Sequence, residues 1–224
     1  GEAVAAVCCV DSSTFLRTAN GHALSCGNNE VRQLGHPDPS HHQTPRGWRA
    51  DWHAVDRSEP ETYGDVEDDV VEDASVDQLR WLALPGHVAG LIVQVSCAPK
   101  HGAALTSDGR VLTWGCADDG RLGRGRIRGA SWEVHARPAV VQLLADKKVD
   151  SVSAGGAHTV AVTEKGELWW WGKVSNSVTY WHPVQARGEK LGGAHFVSGC
   201  ALVEGYTVAV AIPPEQEDED EDLS

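Results

Sequence analysis

Glycines recur along this chain at fixed intervals. In residues 106–123, TSDGRVLTWGCADDGRLG, three glycines stand six and then eight residues apart. Residues 18–35, TANGHALSCGNNEVRQLG, keep both intervals, and residues 163–172, TEKGELWWWG, keep the first. The repeated glycines are Gly21, Gly27, Gly35, Gly109, Gly115, Gly123, Gly166 and Gly172. Because a fixed period indicates a repeat architecture, the chain is predicted to contain three repeats and a partial fourth around residues 206–211.

Each repeat contains short runs of β-favouring residues bounded by Gly, Asp and Asn. In the third repeat these runs are VDSVSAGG (149–156), HTVAVT (158–163) and ELWWWG (167–172). An Asp-Gly or Lys-Gly pair lies between two of these runs. Its glycine supplies the positive φ that a two-residue hairpin loop requires. Each repeat has about four strands, and the equivalent Gly109 and Gly166 are 57 residues apart. This strand count and period predict an all-β chain of propeller blades. A β-solenoid is the alternative, but its repeats are much shorter.

The spacing V-x-x-V-x-x-G-x-x-H-T, followed by T-x-x-G and then W-G, resembles the repeat of the regulator of chromosome condensation family. Residues 149–172 match it nearly throughout, residues 95–125 match it well, and the first repeat matches it more loosely. The resemblance implies blades of four antiparallel strands from a seven-bladed ring. Seven blades of about 50 residues need roughly 350 residues. We therefore expect a partial or open arc, either a piece of a longer chain or half of a ring closed by two copies.

Acidic residues are concentrated in two segments. The formal net charge is −13, of which residues 56–77 contribute −9 and residues 215–224 contribute −7, so that the other residues sum to +3. Such runs are typical of solvated, disordered segments, and they disfavour nucleic-acid binding by the chain as a whole. The predicted organisation is a first repeat at 1–36, an inserted acidic loop and linker at 37–90, further repeats at 91–214, and an acidic disordered tail at 215–224.

The repeat accounts for several of the six cysteines. Cys26 occupies the position of the repeat tryptophan, and Cys9 and Cys97 share a position with Ala154. They are predicted to be small buried hydrophobic residues with reduced thiols, which favours an intracellular compartment: cytoplasmic, cytoskeletal or ciliary, or nuclear. No CxxC pair occurs, so neither a zinc site nor any other metal or cofactor is predicted. No apolar run of about 18 residues and no secretory or transit segment is found, so no membrane association is predicted.

Tryptophans and histidines also follow the repeat. Trp114 and Trp171 hold one position and are predicted to be core residues, whereas Trp170 is predicted to fill the space between blades rather than bind a ligand. His101 and His158 share another position. The family resemblance implies that this histidine holds a turn by hydrogen bonding, and a metal site is disfavoured because separate blades keep equivalent positions apart.

One loop is predicted to bind partners. Residues 120–137, GRLGRGRIRGASWEVHAR, combine five arginines with a tryptophan, a composition that suits acidic partners. The alternative is a solvated loop, or one neutralised by the acidic insert. The predicted contact residues are Arg121, Arg124, Arg126, Arg128, Trp132 and Arg137.

No nucleophile elbow or phosphate-binding glycine loop occurs, so the chain is predicted not to be an enzyme. Two functions are carried forward. The first is a scaffold that binds other proteins within a larger assembly, since resembling proteins include cytoskeletal, ciliary and ubiquitin-ligase components. The second is guanine nucleotide exchange on a small GTPase, which the resemblance alone implies. No residue of this chain can be assigned to that activity, because the positions that match the family are the structural glycines, tryptophans and histidines.

Overall fold

The computed structural model describes residues 2–36, 76–82, 84–86, 88, 90–126, 135–175, 177–186, 195–201 and 207–212. Within these residues there are fourteen β-strands and two short 3-10 helices, Asp118–Gly120 and Gln142–Leu144. The predicted all-β class is confirmed. The acidic tail and most of the acidic insert lie outside the described residues.

The strands form three four-stranded sheets and one two-stranded sheet, taken in chain order. Blade 1 consists of β1 (Val4–Val10), β2 (Ser13–Thr18), β3 (Ala23–Gly27) and β4 (Val76–Trp81). Blade 2 consists of β5 (Ile92–Cys97), β6 (His101–Thr106), β7 (Val111–Gly115) and β8 (Ala139–Val140). Blade 3 consists of β9 (Val149–Ala154), β10 (His158–Thr163), β11 (Leu168–Ser175) and β12 (Val178–Gln185). Blade 4 has two described strands, β13 (His195–Ala201) and β14 (Thr207–Ile212).

Every sheet is an antiparallel meander with the same register. Gly27 pairs with Ser13, Gly115 with His101 and Gly172 with His158, so these positions are equivalent in successive blades. Blade 4 continues the series, because Thr207 on β14 holds the position in blade 4 that Thr159 on β10 holds in blade 3. Short strands joined by tight turns leave each sheet with two apolar faces, which a lone sheet cannot bury.

Successive blades bury these faces against one another. One apolar cluster joins blades 1 and 2 around Phe15 and Trp114, a second joins blades 2 and 3 around Leu144 and Trp171, and a third joins blade 3 to Phe196 of blade 4. The first strands of neighbouring blades also contact each other, β1 with β5, β5 with β9 and β9 with β13. The first strands therefore lie on the inner side of the arc, as they do in a propeller.

The two ends of the arc are open. Val208 and Val210 of blade 4 are 57% and 56% exposed, whereas the equivalent Val160 and Val162 of blade 3 are 0% and 1% exposed because blade 4 covers them. At the other end, Val4 is exposed although its counterpart Ile92 is fully buried. The expected open arc is therefore what the described residues form.

The first blade departs from the expected boundary. Residues 37–90 were expected to form one insert and linker, but β4 at Val76–Trp81 pairs with β3 and completes the first sheet. Leu82 then enters the core between blades 1 and 2. The physical reason is that QLRWL alternates polar and apolar residues and can therefore form the outer strand. The insert that separates β3 from β4 thus ends before residue 76.

Cys97 is buried as predicted, but its predicted reduced thiol is wrong. Its sulfur forms a disulfide with Cys8, on the neighbouring blade, and its backbone N–H points at Cys8 Sγ at 3.2 Å. Cys9 is exposed rather than buried. Adjacent first strands bring Cys8 and Cys97 together across 89 residues of sequence, which the repeat alignment alone does not reveal. The reduced-thiol argument for an intracellular compartment therefore does not hold for this pair.

Candidate interaction site

The arginine loop leaves β7 and packs against the outer strand of the next blade. Its backbone takes positive φ at Asp119, Gly120, Gly123 and Gly125. The N–H of Gly125 donates to the carbonyl oxygen of Trp181 on β12 at 2.9 Å. A Cβ on Gly120 would lie 2.6 Å from the carbonyl oxygen of Tyr180. Only glycine permits both the backbone conformation and the approach to β12, so the glycines fix where the arginines stand.

The loop backbone also closes the junction between blades 2 and 3. The carbonyl oxygen of Arg121 accepts two hydrogen bonds from blade 3, from Trp171 Nε1 and from Thr159 Oγ1, both at 2.9 Å. Thr159 Oγ1 in turn lies 2.9 Å from His101 Nε2 of blade 2. The same pattern occurs one junction earlier, where Trp114 Nε1 donates to Gln33 O at 2.8 Å. These repeated side chains therefore hold blades together.

This network explains the recurring glycines. Gly109 and its equivalents take positive φ in hairpin turns. A Cβ on Gly115 would lie 2.6 Å from the carbonyl oxygen of Lys100. A Cβ on Gly123 would lie 2.8 Å from Trp171 Nε1 in the next blade. The first glycine of each set thus makes a turn, the second allows strand pairing, and the third makes room for the next blade's tryptophan.

The structure assigns the proton on His101. Thr159 Oγ1 gives its hydrogen to the Arg121 carbonyl, so it must accept from Nε2–H of His101. Nδ1 of His101 is buried with no hydrogen-bond partner among the described residues. Protonation would place a second, unpartnered N–H in the core. Burial, with smaller effects from the charge of Arg121 and from His158, therefore lowers the pKa of His101 to about 3. The histidine bonds to the next blade, whereas the family resemblance implied that it holds a turn.

Acid is expected to destabilise the blades through His101. Between pH 6.5 and about pH 3 the unfolded imidazole binds a proton that the folded one refuses, so stability falls as pH falls through this window. One such group lowers the free energy of unfolding by up to about 1.4 kcal/mol per pH unit. Urea titrations at pH 7.5, 6 and 5 should show a shallower decline for His101→Gln, which keeps an N–H for Thr159 but does not titrate. Parallel declines in the two proteins would contradict the assignment.

Arg121 was expected to be an exposed contact residue, but it is buried. Its side chain is 6% exposed, and its guanidinium is used within the protein. Nε donates to Asp118 O at 2.8 Å, Nη1 to Gly156 O at 3.3 Å and Nη2 to Asp119 Oδ2 at 2.8 Å. The turn at Asp118–Gly120 supplies two of these acceptors, three and two residues before Arg121. Arg121 is therefore a structural residue, and we remove it from the predicted contact set.

Arg124 is placed differently. Its Nε and Nη2 atoms are shut off from solvent, and neither has a hydrogen-bond partner among the described residues. Burial lowers the pKa of Arg124 to about 10, so the group is still charged at neutral pH. His135 is close enough that the charge of Arg124, after burial, lowers its pKa, while Asp118 partly opposes this.

Arg126 is exposed. Its guanidinium carbon lies 5.0 Å from the centre of the Trp181 ring, a cation–π distance. Arg137 is half-buried and engaged with a neighbouring group. Arg128 and Trp132 lie outside the described residues. Of the six predicted contact residues, the structure thus places Arg126 over Trp181 of β12 and Arg124 in a partly buried position two residues before it. Their role in partner binding stays a prediction.

Sequence reasoning missed Trp181, His182 and His135. Trp181 and His182 lie on β12, which begins about 40 residues after the end of the arginine loop, and His182 lies against Gly125. The run TYWHP carries an aromatic residue beside a histidine on a strand, and this was a usable signal. Its partner could not be identified, because the contact forms between two blades.

Two kinds of site receive no support from the described residues. No group of three or more His, Cys, Asp or Glu side chains is arranged to hold a metal ion in the part of the chain that the structure describes. No helix there has the length and apolar character needed to cross a membrane.

Curated relatives match part of the chain. It is 38% identical over 85 residues to the "RCC1 domain-containing protein RUG3, mitochondrial" of Arabidopsis thaliana, which covers 38% of this chain and 18% of that protein. It is 42% identical over 87 residues to the "E3 ubiquitin-protein ligase HERC2" of Homo sapiens, which covers 39% of this chain and 2% of that protein. The chain thus spans less than a fifth of the length of either relative.

Solved structures share the fold over nearly all of the chain. Prp20p from Saccharomyces cerevisiae superimposes with a TM-score of 0.68 at 19% sequence identity, covering 96% of this chain and 45% of that one. Human WBSCR16 superimposes with a TM-score of 0.59 at 20% identity, covering 93% and 44%. The chain therefore spans less than half of each of these two structures.

Family models locate the repeats. The "Regulator of chromosome condensation (RCC1) repeat" matches residues 108–162, and a second model of the same description matches residues 92–121 and 149–177. These ranges include the strands, glycines and tryptophans that join blade 2 to blade 3. Residues 92–177 therefore match the regulator of chromosome condensation repeat.

Proposed function

We propose that this chain is part of a non-enzymatic β-propeller that binds other proteins, and that β12 and the loop at Arg124 and Arg126 form a contact surface. One observation carries the proposal. Arg126 is exposed and stacked on Trp181, beside a charged Arg124 that has no hydrogen-bond partner for Nε or Nη2 among the described residues. Arginine and tryptophan are enriched among the residues that dominate binding energies at protein interfaces.

Hydrogen bonds tie the loop backbone beneath this surface to blade 3. The loop is bonded to β12 through Gly125, and its carbonyl at Arg121 is held by Trp171 and Thr159. Contact groups fixed in this way lose little conformational entropy on binding, so more of the contact energy appears as affinity. A partner that bound these arginines would therefore meet a preorganised loop.

The test compares two charge reversals in the native protein. Arg126→Glu is expected to reduce recovery of its partners at least tenfold in affinity purification, because it places an acid where an acidic partner would bind. Lys165→Glu is the matched control, since Lys165 is exposed in the hairpin at the opposite end of the strands. Equal recovery with wild type and both variants would contradict a contact at this surface.

Nucleotide exchange is the second candidate. It is favoured by the fold of Prp20p, whose report describes "Its Binding Properties to Gsp1p and Histones". An exchange factor must bind the empty GTPase more tightly than the nucleotide-bound form. Release of a fluorescent guanine nucleotide from small GTPases recovered with the native protein would distinguish the two candidates. Faster release supports exchange, and an unchanged rate supports the scaffold.

A further inference from the structure

Both ends of the arc expose an apolar sheet face. At the start of the arc, Val4 and Val7 of β1 and Trp81 of β4 are each more than half exposed. In blade 2 the equivalents of Val4 and Trp81 are buried because blade 1 covers them: Ile92 and Val140. An exposed apolar face of this kind marks an interaction surface.

The other end of the arc carries the opposite face of a blade. Val208 and Val210 of blade 4 are more than half exposed, whereas the equivalent valines of blade 3 are buried by blade 4. The end of the arc thus presents the face that a blade turns toward its successor. The start presents the face that a blade turns toward its predecessor. The two open faces are therefore the two halves of one blade junction.

Cysteines hold matching register positions on these two faces. Strand pairing gives Cys200 in blade 4 the register that Cys8 has in blade 1. It also gives Cys9 in blade 1 the register that Cys97 has in blade 2. Cys8 and Cys97 form a disulfide with their Cα atoms 6.2 Å apart. A blade 4 stacked on a blade 1 would therefore bring the position of Cys200 beside Cys9 in the same way.

The existing cysteine pair occurs where another junction contact is missing. Blades 2 and 3 each join a histidine to a threonine of the next blade, His101 to Thr159 and His158 to Thr207. Blade 1 has Ser13 at the histidine position, and the disulfide joins it to blade 2 instead. The sequence puts Tyr206 at this position of blade 4. Blade 4 thus resembles blade 1 in the way it can join a successor.

We propose that a second copy of this chain covers both open faces, so that blade 4 of each copy stacks on blade 1 of the other. The contact is apolar and noncovalent, and it places Cys200 of one copy beside Cys9 of the other. The chain's own acidic segments do not suit apolar faces, because residues 56–77 and 215–224 carry −9 and −7. This inference goes beyond the proposed function, since it concerns contacts between copies of the chain.

The geometry of an arc favours a closed pair. Head-to-tail contacts form a ring when the rotation between subunits closes, and they form an open filament when it does not. This chain covers 45% of the Prp20p chain, so two copies have nearly the length of that chain. A closed pair covers all four open faces at once and leaves no exposed blade end.

The first measurement is the mass of the native protein by sedimentation in the presence of reductant. A mass of twice the 24.0 kDa of one chain is expected. Val210→Glu is expected to weaken self-association by about tenfold or more, because a carboxylate would enter an apolar contact. Leu143→Glu is the matched control, since Leu143 is also more than half exposed but belongs to blade 2, which has a neighbour on each side.

A mixing experiment separates loss of the contact from misfolding. Val7→Glu damages the start face, and Val210→Glu damages the end face. Each variant alone is expected to be a monomer with the circular dichroism spectrum of the native chain. When they are mixed, the intact end face of the first meets the intact start face of the second. One good junction then forms, and a fraction of dimer returns.

The second measurement uses the cysteines as reporters. Oxidised glutathione can join two adjacent thiols: one S–S bond forms between the chains, and glutathione disulfide accepts the two electrons and two protons and leaves as two thiols. A covalent dimer linked through Cys9 and Cys200 is expected on non-reducing electrophoresis and peptide mapping. Cys9→Ser is expected to abolish this cross-link and to leave the sedimenting mass unchanged.

Four results would overturn the proposal. They are a monomeric native protein, a dimer that persists in both valine variants, masses that grow beyond the dimer with concentration, and cross-links that avoid Cys9 and Cys200. A native polypeptide whose own further blades cover the two faces would also sediment as a monomer. Failure of the proposed function is separable, because Arg126 lies where blade 2 meets blade 3. Arg126→Glu is expected to leave the dimer intact whatever it does to other partners.

Discussion

Trp171→Ala is expected to lower the free energy of unfolding by about 3–5 kcal/mol, the range for truncating a buried aromatic residue. Trp171 is 0% exposed and fills the junction between blades 2 and 3. Its removal would leave a cavity and would also leave the Arg121 carbonyl without one of its two donors. Urea denaturation followed by fluorescence and by circular dichroism would measure the loss.

Two further variants separate the contributions. Trp171→Phe keeps an aromatic ring but removes the donor to Arg121, so a smaller loss of about 1–3 kcal/mol is expected. Trp169→Ala is the positional control, because Trp169 lies on the same strand and the same face but is only partly buried, with Lys147 5.3 Å from its ring centre. If Trp169→Ala costs as much as Trp171→Ala, the central place of Trp171 in this junction is wrong.

Reduction of the Cys8–Cys97 disulfide is expected to cost about 2–5 kcal/mol. The bond closes a loop of 89 residues, for which the chain-entropy relation gives about 4–5 kcal/mol. Melting of the native protein with and without reductant measures the effect. In denaturant, four of the six cysteines should react with a thiol reagent before reduction and all six after it.

The repeat itself supplies the control for this prediction. At the next junction Ser96 and Ala154 occupy the corresponding positions, and Ser96 Oγ accepts the N–H of Ala154 at 2.9 Å. The double variant Cys8→Ser with Cys97→Ala therefore reproduces a pair that this chain already uses. It is expected to melt like the reduced native protein and to ignore reductant. Six reactive thiols in the unreduced native protein would show that the bond is absent.

The repeat explains why so much of the fold was predictable. Gly21, Gly109 and Gly166 mark equivalent hairpins, and all three have positive φ. Trp114 and Trp171 share one position, and both are fully buried. These requirements are local to a blade and recur in every blade, so three copies of a pattern expose them. The strand Val76–Trp81 was missed because an acidic insert separates it from the repeat that it completes.

The candidate site was only partly predictable for a different physical reason. The cluster of arginines is visible in the sequence, but Arg121 and Arg124 look alike there. Asp118 and Asp119 of the same loop accept from Arg121, but its third acceptor, Gly156 O, belongs to the next blade and lies 35 residues away. The ring beneath Arg126, that of Trp181, also belongs to that blade.

Residue order by itself determined the all-β class, the blade period, the turn glycines and the core tryptophans, because these follow from backbone sterics and from strands that pair with their sequence neighbours. Tertiary structure alone decided that His101 bonds to Thr159, that Cys8 meets Cys97, and which of the loop arginines is satisfied. The first two depend on one blade packing against the next, and the third depends on it in part, because Arg121 donates to Gly156 of blade 3 as well as to its own loop. Packing joins residues that are remote in sequence, and partner geometry then fixes where hydrogen bonds and charges are met.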